Sequence, residues 1–357
     1  MKEAMLYEKL DKGEVRCILC GHRCLIKDGK KGICAVRENR GGILYTLVYD
    51  KVIARHIDPI EKKPLFHFHP GSTSYSIATV GCNLRCFHCQ NYEISQYPKK
   101  NYELRAKSYK KNSELQTQNS ELNSIPGENL TPEDIVNLAI KTGCLSISYT
   151  YTEPTIFFEL AYDTAILAKK KGIKNVFVSN GYTSPEATKM ITPYLDANNI
   201  DLKSFRDEHY RRVCGAKLQP VLDTIKLMKE SGVWVEVTTL IIPSGNDSEE
   251  ELRDIAGFIK SVSIDIPWHV SQFYPTYKLL DQPRTPIRTL RRAREIGLEV
   301  GLRYVYEGNV PGEGGESTYC YNCNMLLIDR YNHLIRGNYI KESKCPNCGS
   351  VINGVGL

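Results

Sequence analysis

From Thr131 onward the chain alternates short apolar runs with amphipathic segments, and no other feature narrows the fold so far. Thr131 followed by Pro132 has the form of a helix start, because a threonine hydroxyl can accept from the free amides of a first turn and proline needs no amide donor there. The strand-like runs LSISYTY, NVFVS, NNIDL, VWVEVTTLII, WHVSQFY and GLRYVY are separated by segments of helical character at 155–171, 184–191, 220–231, 249–260 and 285–297. Parallel strands need a crossover, and a helix supplies it. The pattern therefore predicts an α/β fold, a full or partial (β/α) barrel, with its chemistry on loops at the carboxyl ends of the strands.

The barrel core is placed at 61–310 of a 357-residue chain, with cysteine-rich lobes at 1–60 and 311–357. Short β-type runs, ILYTLVY and SYSIATV, flank the stretch DPIEKKPLFHFHPGS ahead of the regular pattern. Residues 98–129 are rich in Asn, Ser, Lys and Glu and nearly free of apolar periodicity, which predicts a flexible insertion. A hydrophobic content of 41% and a charged content of 25% exclude a disordered chain. The balance of 47 basic against 41 acidic residues is too even for a dedicated nucleic-acid binder, although a nucleic-acid partner stays compatible with it.

No apolar run approaches the length of a membrane span, and MKEAMLYEKLDKGEV lacks the apolar core of a signal peptide. The expectation is a cytoplasmic protein with no membrane partner. Thirteen cysteines there point to metal or catalysis rather than disulfides, and eleven of them fall into three clusters. Cys82, Cys86 and Cys89, in GCNLRCFHCQN, follow the run SYSIATV, so a strand delivers them to a loop. Three thiolates on a cubane cluster leave one iron without a protein ligand, open to a small molecule, whereas four-cysteine zinc sites are closed. Cys320, Cys323, Cys345 and Cys348 have the paired spacing of a zinc ribbon or a rubredoxin-like iron site, the tail being a structural lobe or a docking lobe. Cys17, Cys20, Cys24 and Cys34, with His22 among them, suit either zinc or an auxiliary [4Fe-4S] cluster. Cys144 and Cys214 read as core or loop thiols.

CNLRCFHCQN resembles the signature loop of the radical S-adenosylmethionine superfamily. The resemblance implies a [4Fe-4S] cluster on Cys82, Cys86 and Cys89 that binds S-adenosylmethionine and cleaves it reductively to a 5′-deoxyadenosyl radical. It further implies cofactor contacts from Glu153 in Thr152-Glu153-Pro154, where the family commonly has Gly-Gly-Glu-Pro, from Asn180 in Ser179-Asn180-Gly181, from Asp201 and Lys203 in IDLK, and from His269 in PWHVSQFYP. His88 stands where the family usually has Phe or Tyr against the adenine.

Over nearly its whole length the chain resembles the radical enzyme of the AmmeMemoRadiSam system, related to pyruvate formate-lyase activating enzymes. The segments that carry this are CILCGHRC with Cys34, DPIEKKPLFHFHPGS, CQNYEIS, YTYTEPTIFFE, NIDLKSF, TTLIIPSGNDS, PWHVSQFYP, LRYVYEGNVPG and the closing cysteine pairs. That likeness implies an external electron donor such as ferredoxin or flavodoxin, and AmmeMemoRadiSam partner proteins. Three functions stand open: a radical enzyme acting on its own substrate, an activating enzyme for a glycyl radical enzyme, and a non-catalytic metal-binding adaptor. An adaptor has no use for an open cluster beside Glu153, Asn180, Asp201 and Lys203.

Overall fold

A computed structural model describes residues 1–99 and 125–357. Its centre is one eight-stranded sheet. β1 (Ala54–Pro59) runs antiparallel to β2 (Thr73–Ala78). From β2 the strands continue in parallel, side by side: β3 (Ser146–Tyr149), β4 (Lys174–Ser179), β5 (Ala197–Asp201), β6 (Trp234–Ile241), β7 (Trp268–Gln272) and β8 (Val305–Gly308). β1 and β8 are the two edges and do not pair, so the barrel is partial. Every residue of β3 and of β7 is buried, as expected of parallel strands covered on both faces.

The crossovers are α1 (Pro132–Lys141), α2 (Phe158–Lys170), α3 (Pro185–Ile191), α4 (Gln219–Glu230), α5 (Glu249–Val262) and α6 (Ile287–Val300). α1 begins as its sequence requires. Thr131 Oγ1 accepts from the Asp134 amide and the Asp134 carboxylate accepts from the Thr131 amide, with Pro132 at the first helical position.

The stretch DPIEKKPLFHFHPGS is tied to β5 and β6. The Glu236 carboxylate accepts from the Phe66 and His67 amides at 3.0 and 2.8 Å, and Asn199 Nδ2 donates to the Pro64 carbonyl at 2.7 Å. Against this stretch lies the carboxyl-terminal segment, whose antiparallel strands are Thr318–Tyr319, Leu326–Tyr331 and Leu334–Asn338. Phe66, Tyr304 and Tyr306 share one apolar cluster with Leu327, Ile328 and Ile352. Arg330, fully buried, donates to the Phe66 carbonyl at 2.7 Å, lies over the Phe66 ring and stands 3.8 Å from Glu61. The tail thus packs on the barrel through an apolar cluster of its own, apart from the main core.

At the other end of the chain, Ile43–Thr46 pairs with Lys2–Glu3 and Arg37–Arg40, so the run ILYTLVY contributes to a small separate sheet. β1 lies inside the segment 1–60 yet belongs to the large sheet. Buried Arg37 ties the amino-terminal lobe to α2 through both Glu159 oxygens at 2.5 Å. Most of the stretch expected to be a flexible insertion, 100–124, lies outside the described residues. Its two ends are anchored. Lys99 is half-buried, and Glu128–Asn129 pairs with Lys51–Val52. Among the described residues no helix is long and apolar enough to cross a membrane.

Candidate metal and cofactor site

β2 ends at Ala78 and four residues later the chain reaches Cys82. Gly81, the last residue before it, has φ +104°, and a Cβ there would sit 2.8 Å from Val36 Cγ1 and 3.3 Å from the Cys34 carbonyl. Only glycine lets the loop pass so close to the amino-terminal lobe. The loop is then clamped by its backbone: Arg85 and Phe87 amides donate to the Cys214 and Val213 carbonyls at 2.8 and 3.1 Å, and the Lys278 amide donates to the Phe87 carbonyl at 3.0 Å. Residues Tyr210–Cys214 form one turn of π-helix, an irregularity common at functional sites.

Of the three thiols of this loop, Cys86 is buried and Cys82 and Cys89 are half-buried. Burial pushes the Cys82 and Cys89 thiols up, and hydrogen bonding to Cys214 together with burial does so for Cys86. Such sulfurs become thiolates only when positive charge compensates them, which a bound metal cluster provides. The Leu84 amide already points at Cys82 Sγ from 3.3 Å.

Around the loop stand side chains from the next strands. Asn180, directly after β4, turns its Nδ2 toward Cys82 Sγ at 3.7 Å and donates to Asn83 Oδ1 at 2.8 Å. Its amide donates to Glu153 Oε2 at 2.7 Å. Glu153, after β3, is 1% exposed and accepts in addition from the Thr155 amide, Thr155 Oγ1 and Ser179 Oγ at 2.7 to 3.0 Å. Burial raises its pKa, yet every neighbour donates, so the carboxylate is held as an acceptor. Glu153 works as a strut between the ends of β3 and β4, positioning Asn180 against the loop.

Asp201, the last residue of β5, pairs with Lys203 Nζ at 2.7 Å. The Lys203 side chain is largely covered, 14% exposed. Desolvation opposes its charge, but Asp201, Cys86 and Cys214 act on it and raise its pKa well above the ordinary lysine value. His88 is 5% exposed with neither ring nitrogen hydrogen-bonded, and burial, with Lys203 and His209 nearby, drives its pKa well down. A neutral buried imidazole with one donor and one acceptor unsatisfied is a vacancy in the hydrogen-bond network that a ligand would fill.

His269 is placed differently from the rest. Its Nε2 donates to Glu236 at 2.7 Å, and its ring meets Phe66 edge-on at 4.7 Å and stacks on Tyr306 at 5.3 Å. None of these contacts reaches the Cys82 loop, so the structure gives His269 a part in anchoring the stretch beneath the sheet. Two residues that sequence reasoning left out of the site belong beside it. Lys99 donates to the Leu84 carbonyl at 2.7 Å, and the thiols of Cys82, Cys34 and Cys86 act on its charge. Cys214 faces Cys86. A lone lysine in a polar stretch and a lone cysteine carry no spacing that would have marked them.

The two outer clusters differ in geometry. The sulfurs of Cys320, Cys323, Cys345 and Cys348 all lie within 4.8 Å of one another, with Cys320–Cys348 and Cys323–Cys345 both at 3.6 Å. That is the compact arrangement of one tetrahedrally held ion. Hydrogen bonding to Ser350 lowers Cys348 to about 6, so this sulfur is available as a thiolate. Cys17, Cys20, Cys24 and Cys34 are also gathered, the other three acting electrostatically on Cys20, but no three of their sulfurs lie within 4.8 Å of one another.

A three-cysteine loop at a strand end, an unsatisfied imidazole, and a lysine–aspartate pair beside it fit a cluster with one open iron and a charged small-molecule ligand. Known proteins point the same way. The chain is 47% identical to the uncharacterized protein MJ0808 of Methanocaldococcus jannaschii over 99% of both chains. It is 22% identical to pyruvate formate-lyase-activating enzyme of Clostridium pasteurianum over 64% of this chain and 89% of that one. With isethionate sulfite-lyase activating enzyme of Oleidesulfovibrio alaskensis it shares 26% identity over 40% of this chain and 47% of that one. The Radical SAM superfamily model matches residues 76–259, from inside β2 to α5, which takes in the Cys82 loop and the Glu153, Asn180 and Lys203 positions. With more than half its length so matched, this chain belongs to the radical SAM superfamily, whose members imply a [4Fe-4S] cluster and S-adenosylmethionine.

Proposed function

We propose that the protein is a cytoplasmic radical SAM enzyme whose cluster sits on Cys82, Cys86 and Cys89 and whose product is a hydrogen-abstracting 5′-deoxyadenosyl radical. The observation that carries this is the convergence of the three-cysteine loop with Asn180, Glu153, Asp201 and Lys203 at neighbouring strand ends. When bound, the cluster and S-adenosylmethionine supply a one-electron cleavage of the carbon–sulfur bond, releasing methionine. The chain's own residues bind and orient. Lys203 offers its ammonium to the methionine carboxylate, Asp201 keeps that ammonium in place, and Asn180 fixes the loop from the β4 side. His88 supplies an aromatic face and a free ring nitrogen to the adenine. Cys86 is buried and Cys82 and Cys89 are half-buried, which limits the water that reaches the reacting centre.

The electron comes from an external low-potential carrier of the ferredoxin or flavodoxin class. The whole-length pattern of segments supports a place in the AmmeMemoRadiSam system, with its partner proteins. A second reading, activation of a glycyl radical enzyme by abstracting hydrogen from a backbone glycine, is favoured by the activating enzymes among the relatives. Zinc is the ion proposed for the carboxyl-terminal site.

Anaerobically reconstituted protein given dithionite and S-adenosylmethionine is expected to form 5′-deoxyadenosine and methionine in equal amounts. Protein that carries the cluster, binds S-adenosylmethionine and forms neither would overturn the proposal. Lys203→Ala removes a charged hydrogen bond to the cofactor, worth about 1.5–3 kcal/mol, and should weaken S-adenosylmethionine binding roughly 10- to 100-fold. Equilibrium binding to the reconstituted protein reads this directly, and an unchanged affinity would remove Lys203 from the cofactor site.

A further inference from the structure

The four amino-terminal cysteines take no part in the reading above, and their geometry is specific. A single tetrahedral ion with metal–sulfur bonds of about 2.3 Å draws its sulfurs to roughly 3.8 Å from one another. The carboxyl-terminal four approach that limit, with two pairs at 3.6 Å and all four sulfurs within 4.8 Å. Cys17, Cys20, Cys24 and Cys34 do not, since no three of their sulfurs come within 4.8 Å. They are nonetheless mutual neighbours: Cys17, Cys34 and Cys24 all act on Cys20, and Cys17 and Cys34 act on Cys24. Four sulfurs that share one space without closing on one point suit a cubane, in which each cysteine binds its own iron. His22 is directed elsewhere, its Nε2 on the Asn83 carbonyl at 2.8 Å.

A second observation is the state of Arg37. Its side chain is 1% exposed, with one terminal nitrogen on Glu159 while Nε and the other terminal nitrogen have no hydrogen-bond partner. The thiols of Cys17 and Cys34 are among the groups acting on its charge. A buried guanidinium with two idle donors, on whose charge these thiols act, fits an anionic thiolate cluster in its neighbourhood.

We propose that Cys17, Cys20, Cys24 and Cys34 hold a second iron–sulfur cluster, closed by four protein ligands and seated against the Cys82 loop. With every iron taken by a cysteine it has no open position for a substrate, so its chemistry is one-electron exchange. The two sites share walls. The Cys34 carbonyl faces Gly81, His22 reaches Asn83, and the thiols of both Cys34 and Cys82 act on the charge of Lys99.

Full-length protein reconstituted anaerobically with iron and sulfide decides the matter, and it does so whether or not S-adenosylmethionine is cleaved. Wild type should hold about eight acid-labile sulfides per chain, and the Cys82→Ala, Cys86→Ala, Cys89→Ala variant about four, since each cubane carries four. That triple variant should also show a paramagnetic iron–sulfur signal after reduction. A Cys20→Ala, Cys24→Ala variant should lose the other half of the sulfide. The triple variant keeps the amino-terminal lobe intact, so its sulfide content stands as the deciding measurement even where the double variant fails to fold. A mononuclear carboxyl-terminal ion carries no sulfide and does not disturb the count. A triple variant holding zinc at the amino-terminal cysteines, or no labile sulfide, overturns the proposal, as does wild-type sulfide in the double variant.

Discussion

Replacing Cys82, Cys86 and Cys89 together with alanine is expected to reduce 5′-deoxyadenosine formation by more than about 100-fold, to background, because the cofactor and not the protein carries the bond-breaking chemistry. The loop itself should survive the change. Its clamps are backbone hydrogen bonds to Val213, Cys214 and Lys278, which alanine leaves in place, and its thiols are neutral when no metal compensates them. Unchanged circular dichroism with a retained carboxyl-terminal ion would show that the fold is intact. Iron-dependent cleavage of S-adenosylmethionine persisting in that variant would remove the cluster from these residues.

The second large effect is one of stability, and it concerns the base of the barrel. Arg330→Met takes a buried cation from beside Glu61 and withdraws the donors to the Phe66 carbonyl and Thr318 Oγ1. Removing one partner of a buried charge pair costs about 3–5 kcal/mol, chiefly because the other charge is left uncompensated. Burial already raises the Glu61 pKa, with Arg330 opposing it, so the lone carboxyl should take up a proton and soften the loss toward the lower figure. Chemical denaturation monitored in the barrel should read this difference. A loss below about 1 kcal/mol would mean that the tail is held apart from the barrel and that Arg330 does not support it.

How much of this was legible in the sequence depends on which force fixed each part. The strands from β3 onward were visible because short β-type runs alternate regularly with amphipathic helical segments, the form of parallel strands joined by helical crossovers. β1 was not, since ARHIDP is an edge strand with Arg55, His56 and Ile57 exposed, and its pairing with β2 leaves no apolar trace. The spacing of Cys82, Cys86 and Cys89 marked the loop, while the arrangement of donors on Glu153 could not be read. The Ser179 hydroxyl and the Asn180 amide converge on it only through the parallel pairing of β3 with β4. His269 looked like a cofactor contact on a late strand, and the partner that claims it, Glu236, sits on the neighbouring β6. For the two outer clusters, spacing marked both as metal sites, and only distances in space separate the compact set from the wide one.

The hydrogen bond between Arg330 and the Phe66 carbonyl spans 264 positions of the chain, and His67 reaches Asn353 across 286. Contacts of such long sequence separation form late and slowly, because the loop they close must first be gathered. During synthesis Phe66 emerges with the stretch ahead of β2, long before its partners exist, and this aromatic surface has to wait. The cysteines of the amino-terminal lobe and of the Cys82 loop are all made well before the strand Leu326–Tyr331 can dock. Metal loading at the first two sites can therefore precede closure of the base. Completion of the fold then falls to a segment translated well after β8, which makes the nascent chain most vulnerable to proteolysis in the interval between β8 and the Cys345–Cys348 pair.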